Sequence, residues 1–150
     1  MGRSPQFTVR RVDWSGAGDA LRRVRTSVFV DEQNVPVELE WDGIDAQCTH
    51  VIAESATGDA VGTGRLLPDG HIGRMAVLKP WRRRGVGSAI LKELLAAAAD
   101  AGHASAVLNA QTQAARFYAR FGFEAISGEF MEAGIPHRTM RLALVKPTRS

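Results

Sequence analysis

Apolar positions recur along the chain with two different periods, and the periods mark out its elements. Alternation over Phe7–Val12 predicts a first strand. Ser15–Asp19 reads as a turn, with Ser15 or Asp19 as N-cap. From Ala20 onward Leu21, Val24, Val28 and Phe29 keep helical spacing, and this helix is expected to end near Gln33-Asn34, before Pro36. Three further strands follow at Thr49–Glu54, Ala60–Leu67 and His71–Leu78. Tight turns at Thr57-Gly58-Asp59 and Pro68-Asp69-Gly70 join them into an antiparallel meander. Val86, Ile90, Leu91, Leu94, Leu95 and Ala98 form the apolar stripe of a long helix from about Val86 to Ala101, with Gly102 as its C-cap.

Ser105–Asn109 reads as a short strand. A strand, a helix and another strand predict a crossover connection, so His71–Leu78 and Ser105–Asn109 should run parallel. Thr112–Phe121 is a short helix ended by Gly122. Phe123–Ile126 and Arg138–Val145 close the chain as strands, separated by a loop from Gly128 to His137 with Gly134 and Pro136 as breakers. Residues 1–6 and 146–150 read as loose ends. The expected class is α/β (α+β mixed), in a single domain covering 1–150.

Composition changes this picture only a little. The chain has 150 residues, 45% hydrophobic and 23% charged, which suits one domain with a real core. The formal charge of +3 falls to zero (3 − 3) without Arg82, Arg83 and Arg84, so the basic character is a local cluster. A nucleic-acid binder would show a broader basic stripe with aromatics interleaved, and no nucleic-acid partner is expected. Cys48 is the sole cysteine, which excludes an intrachain disulfide and fits a reducing cytoplasm. The sequence shows no cationic start followed by an apolar run and no membrane-length apolar helix. The acidic stretch Val35–Asp45, with Glu38, Glu40, Asp42 and Asp45, is expected to be a solvated connection; overhanging a site, it would attract an amine.

The candidate chemistry centres on Arg82-Arg83-Arg84-Gly85-Val86-Gly87-Ser88, placed between a strand and a helix start. Unpaired helix N-terminal amides, glycines that let a ligand approach the backbone, and arginines with planar charged donors together suit phosphate oxygens. The turn is not a P-loop, since no Gly-Lys-Ser/Thr closes it. It is not a dinucleotide turn, since the third glycine of G-x-G-x-x-G is absent. No His, Cys or Asp grouping has metal spacing, so no metal is expected. Ser88 lies in no G-x-S-x-G elbow. Tyr118 is the only tyrosine and lies on the helix that carries Phe117 and Phe121 on one face.

Arg82-x-x-Gly85-x-Gly87 resembles the R/Q-x-x-G-x-G/A signature of the GNAT superfamily of N-acetyltransferases. Ala114 through Phe123 resembles that family's second hallmark, and the two lie at a fitting distance. Val28–Asn34 with Asp42-Gly43, and Gly134-Ile135-Pro136-His137, are similar to the ElaA-like branch. The resemblance covers nearly the whole chain. It implies a six- to seven-stranded mixed sheet with about four helices, splayed between its fourth and fifth strands, here His71–Leu78 and Ser105–Asn109. It implies acetyl-CoA in that cleft. Backbone groups of Met75, Ala76 and Val77 would pair with the pantetheine arm like an added strand. Amides from Arg83 through Arg84, Gly85, Val86 and Gly87 to Ser88 would hold the pyrophosphate, with the arginine side chains, Arg82 included, assisting. Ala114 and Phe117 would lie beside the cofactor, and Tyr118 by the thioester sulfur. Gln111 stands where the family often has asparagine.

The implied activity is direct transfer of an acetyl group to a primary amine. Tyr118 is then a proton donor to the leaving thiolate and the Val77 amide a donor to the carbonyl. Glu32, Glu38, Glu40, Glu54 and His137 are open as the base, and so is a chain of waters. Cys48 reads as a small buried hydrophobe rather than a nucleophile. A non-catalytic acyl-CoA-binding or protein-interaction module on the same fold is the alternative. A homodimer is compatible with the resemblance, and the sequence does not name the acceptor amine.

Overall fold

The computed structural model describes residues 6–144. Its elements are β1 (Phe7–Val12), α1 (Trp14–Arg25), α2 (Val37–Glu40), β2 (Thr49–Ser55), β3 (Ala60–Leu66), β4 (His71–Val77), α3 (Val86–Asp100), β5 (Ser105–Gln111), α4 (Ala115–Ala119), β6 (Glu124–Ala125), β7 (Phe130–Glu132) and β8 (Ile135–Ala143). The strands form one eight-stranded sheet in the order β1-β2-β3-β4-β5-β8-β6, and β7 also pairs with β8. All pairings are antiparallel except β4 with β5, which is the expected crossover. Two strands are very short, which accounts for the difference from the six or seven expected. Of the expected loose ends, residues 1–5 and 146–150 lie outside the described residues, whereas Gln6 is anchored because its carbonyl accepts the Ala56 N–H at 3.1 Å.

Helices cover both faces. α3 lays Val86, Ile90, Leu91, Leu94 and Ala98 against Val51, Ala53 and Ile72 in the main core. α1 and its continuation bury Val24, Val28 and Phe29 against Ala76 on the opposite face. Each large aliphatic side chain buried this way contributes about 1.5–3 kcal/mol. The approach of α3 depends on two glycines of β3. A β-carbon on Gly64 would lie 2.6 Å from Leu94 Cδ1 and 2.7 Å from Ile90 Cγ2, and one on Gly62 2.8 Å from Ile90 Cδ1. Both neighbours are fully buried and have nowhere to retreat. Gly64→Ala is therefore expected to cost about 1–3 kcal/mol, read as a lower denaturation midpoint with an unchanged slope.

Several expectations are corrected. The first helix begins at Trp14, not Ala20, because Asp13 is its cap and accepts the Gly16 N–H at 2.9 Å. Asp19 lies inside the helix. α1 then widens into a π-helical turn over Thr26–Glu32 and stops where Asn34 takes a left-handed φ of 59°. The helix expected over Thr112–Phe121 is a 3-10 turn followed by the single α-helical turn of α4. The expected loop Gly128–His137 is instead a β-hairpin of β7 and the start of β8, turning at Ala133-Gly134. Pro136 is tolerated there because β5 pairs with β8 only from His137 onward, so at Pro136 the ladder continues on the β7 side alone.

Candidate functional site

The parallel pairing of β4 with β5 lasts for two residues, His71 with Val107 and Ile72 with Leu108. Beyond them β4 leaves its partner. β3 supplies the cause. Gly62 and Thr63 pair with Val77 and Ala76, whereas Arg65 pairs with Gly73, so β4 carries extra residues opposite Gly64. This is a β-bulge, and Arg74 sits in it at φ 49°, with its carbonyl accepting the Thr63 hydroxyl at 3.2 Å. A bulge bends its strand and re-aims the side chains that follow. The opened sheet encloses a cleft of about 700 Å³, lined among others by Met75, Gln111, Ala114, Tyr118, Glu132 and His137.

Met75 and Tyr118 meet inside this cleft, the phenolic hydroxyl 3.6 Å from the Met75 sulfur. Tyr118 is half-buried and packs edge-on against Phe117 and Phe123, at ring-centroid distances of 5.0 and 5.9 Å. Burial pushes its phenol up to about 12, so the hydroxyl stays protonated throughout the neutral range. Val77 follows from the alternation of the ladder. The Leu78 N–H bonds the Val61 carbonyl of β3 at 2.9 Å, so the Val77 N–H one residue earlier faces away from β3, along the splayed edge. Ala76 lies between Met75 and Val77, paired with Thr63 and buried under α1 and its continuation. Its polar edge is turned to β3.

The turn before α3 is built for approach to the backbone. Arg83 and Gly85 both take left-handed conformations, φ 62° and 85°, with Arg84 between them, and Gly85 caps the helix without any side-chain cap. The amides at the start of α3 have no partner within the helix. Successive N–H groups in such a bend form an anion-binding concavity. Val86 is buried and anchors the turn, while Gly87 leaves the space beside Phe117 open, where a β-carbon would stand 3.6 Å from the ring. Ser88 is half-buried in the first turn. The three arginines have different positions. Arg82 is committed: its guanidinium grips both Glu32 oxygens at 2.6 and 2.7 Å and its Nε donates to the Val77 carbonyl at 2.9 Å. Arg84 lies over Trp81, 5.0 Å from the ring centre, and donates to Gln6. Arg83 is exposed. Gln111 donates to Gln33 at 2.9 Å and accepts from Gln113 at 2.6 Å.

A cluster that sequence reasoning missed forms the other wall. The acidic stretch is not a solvated loop, because Glu40 is 2% and Asp45 5% exposed. Arg25 donates to Glu40 and Asp45, both at 2.7 Å, between the rings of Trp14 and Trp41. Arg65 bonds Asp42 at 2.7 Å and Asp45 at 3.0 Å, and Arg74 reaches Asp42 and the Glu40 carbonyl. Three arginines thus meet three carboxylates, with the buried His50 ring bonded to the Asp45 carbonyl at 2.9 Å. Glu40, Arg65 and Arg74 line the cleft. The signal available in the sequence was Arg65, a charge inside an otherwise apolar strand.

Burial pushes the Asp42 carboxyl up, but hydrogen bonding and charge from Arg65, the Ile44 N–H and Arg74 hold it at about 2. The unfolded carboxylate titrates near 3.9. A lowered folded value contributes stability that is present above the unfolded value and disappears as pH falls through the folded one. The Tm is therefore expected to fall between about pH 4 and about pH 2, and to fall less steeply in Asp42→Asn. Parallel curves for the two proteins would remove Asp42 from the acid transition.

Cys48 is buried, its thiol donating to the Ile44 carbonyl. Among the described residues no three His, Cys, Asp or Glu side chains group as a metal site, and no helix is long and apolar enough to cross a membrane.

Set against known proteins, residues 19–144 match the model of the acetyltransferase (GNAT) domain. The chain belongs to the GNAT acetyltransferase family. This GNAT chain is 46% identical over 121 residues to the uncharacterized N-acetyltransferase YjcF of Bacillus subtilis, covering 78% of this chain and 86% of that one. Among solved structures it is similar to an acyl-CoA N-acyltransferase from Pseudomonas aeruginosa, at 30% identity and TM-score 0.82, over 91% of this chain and 99% of the other. It is also similar to Escherichia coli ElaA, at 27% identity and TM-score 0.79, over 89% and 98% of the two chains. Membership in this family makes the GNAT chain an acyltransferase.

Proposed function

We propose that the chain moves an acetyl group from acetyl-CoA to a primary amine of a small molecule or peptide. One observation carries the reading: the sheet opens between β4 and β5 with an anion-binding bend at one end and an enclosed, protonated phenol beside it. The Pseudomonas aeruginosa relative, named an acyl-CoA N-acyltransferase, supports the choice of donor. Acetyl-CoA, when bound, supplies a thioester with a carbonyl open to attack and a sulfur able to leave.

The chain's own residues divide the remaining work. Amides from Gly85 to Ser88 face the pyrophosphate, and the side chains of Arg83 and Arg84 supply charge around it. Arg82 acts on the protein, tying the turn to Glu32 and to the end of β4. Met75 and Val77 offer the edge of β4 along the cleft, and the Val77 N–H stabilises charge developing on the carbonyl oxygen. Ala114 lines the cleft and Phe117 stands beside Gly87, so both would lie along the cofactor. The Tyr118 hydroxyl gives its proton to the departing sulfur and regains one from the amine nitrogen. Gln111 is engaged with Gln33 and Gln113, so it orders the 3-10 turn before α4 and reaches the cofactor arm only by exchanging a partner.

The test is release of free thiol from acetyl-CoA on adding polyamines, amino sugars and lysine-bearing peptides. Amine-dependent release with a mass gain of one acetyl group on the acceptor is expected. Tight acetyl-CoA binding without release across the panel would instead favour a binding module.

A further inference from the structure

An acceptor amine is an ammonium ion at neutral pH and attacks only after losing a proton, so a base must face the cleft. Of the acids considered above, Glu32 is bound to Arg82, and Glu54 is bound to Arg10 on the far β1–β2 side of the sheet. Glu38 is exposed and does not line the cleft. Glu40 does line it, but its Oε2 accepts from Arg25 at 2.7 Å and lies 3.3 Å from Arg74 Nε. It is held between two guanidinium groups.

His137 has the opposite circumstances. The residue is 7% exposed, and its ring stacks against Phe130. Nδ1 lies 2.6 Å from the Ile135 carbonyl oxygen. A carbonyl can only accept, so Nδ1 carries the hydrogen and Nε2 of the neutral ring carries the lone pair. Glu132 Oε2 lies 3.6 Å from Nε2. That carboxylate is itself held, its Oε1 accepting from Asn109 at 3.2 Å, while the Asn109 oxygen accepts from Thr139 at 2.9 Å. His137 pairs with Gln111, the last residue of β5, where the chain turns toward α4 and Tyr118. His137, Glu132 and Tyr118 line the same cleft.

We infer that His137 is the catalytic base of the transfer, with Glu132 and Asn109 as positioning residues. The inference rests on the amine-acetylation reading. Nε2 takes one proton from the acceptor ammonium. The freed nitrogen pair forms the N–C bond, the C–S bond breaks, and the sulfur is protonated through Tyr118. The nitrogen's second proton restores Tyr118, and His137 releases its own to solvent. One ammonium and one thioester thus give one amide, one thiol and one proton.

The test uses the full chain, with acetyl-CoA as donor and the best acceptor from a panel of polyamines, amino sugars and lysine-bearing peptides. His137→Gln is expected to lower kcat about 100-fold or more while acetyl-CoA affinity by calorimetry stays within about twofold. Glu132→Gln is expected to lower kcat about tenfold. Nitrogen-15 spectra of the neutral wild-type imidazole should show Nδ1 protonated and Nε2 bare. A His137→Gln kcat within about threefold of wild type would overturn the proposal. So would the opposite tautomer, or a large kcat loss confined to Glu40→Gln. Wild-type inactivity across the whole panel would instead overturn the transfer reading, and the base with it.

Discussion

Replacing Tyr118 with phenylalanine is expected to lower kcat about 100-fold and leave acetyl-CoA affinity almost unchanged. The substitution removes one oxygen. That oxygen has the Met75 sulfur as its partner at 3.6 Å, a weak acceptor, so the folded protein loses little when it goes. The ring itself packs against Phe117 and Phe123, and phenylalanine keeps those contacts. What is lost is a hydroxyl enclosed in the cleft and kept protonated by burial, up to about 12. Stopped reactions quantifying free coenzyme A, with calorimetry on the same variant, separate the two quantities. A kcat equal to wild type would take Tyr118 out of the chemistry. A large loss of affinity with kcat preserved would make it a binding residue.

Arg25→Met is expected to cost about 3–5 kcal/mol, the largest stability effect of any single substitution considered for this chain. Arg25 is 1% exposed and holds two carboxylates at 2.7 Å. Methionine keeps much of the volume between Trp14 and Trp41 but removes the shared cation, leaving buried Glu40 with Arg74 alone and buried Asp45 with Arg65 alone. At this chain length the loss corresponds to a Tm lower by roughly 10 °C. The cluster also sets the shape of the cleft wall, since Glu40 is hydrogen-bonded through Arg25 and Arg74 leans on the Glu40 carbonyl. A Tm within about 2 °C of wild type would show that the cluster contributes little net stability.

The sheet was the most legible part of the molecule. β1 to β4 fall within a residue or so of their expected ends, because alternating apolar positions and the two tight turns leave few registers open. The β4–α3–β5 crossover followed from element order alone. The bulge at Arg74 was not legible, because it is a register event set by Thr63 on the neighbouring strand and leaves no mark in the local sequence. The arginine–carboxylate cluster was hidden for a related reason. Its partners are about twenty residues apart, and an acidic stretch carries no sign of which distant cation will bury it. At α1 the expected caps were Ser15 or Asp19, whereas Asp13, which lies before the expected turn, caps the helix by accepting the Gly16 N–H. In the β7–β8 hairpin, Gly134 and Pro136 read as breakers, although one makes the turn and the other sits past the end of β5.

The site residues gathered by motif come together in space in two groups, the bend before α3 and the Met75–Tyr118 cleft. The departures lie in side chains rather than backbone. Arg82 and Gln111 already have protein partners, and Ala76 turns its polar edge to β3. The motif locates the turn, but it does not show that Glu32 on the π-helical segment holds its first arginine.

The account rests on a thioester-bearing nucleotide docking between β4 and the start of α3. Titration calorimetry of the wild-type chain with acetyl-CoA tests this most directly. The account predicts saturable binding at one site per chain, weakened when Arg83 and Arg84 are both replaced by alanine. Folded wild-type protein that gives no heat with acetyl-CoA would contradict it.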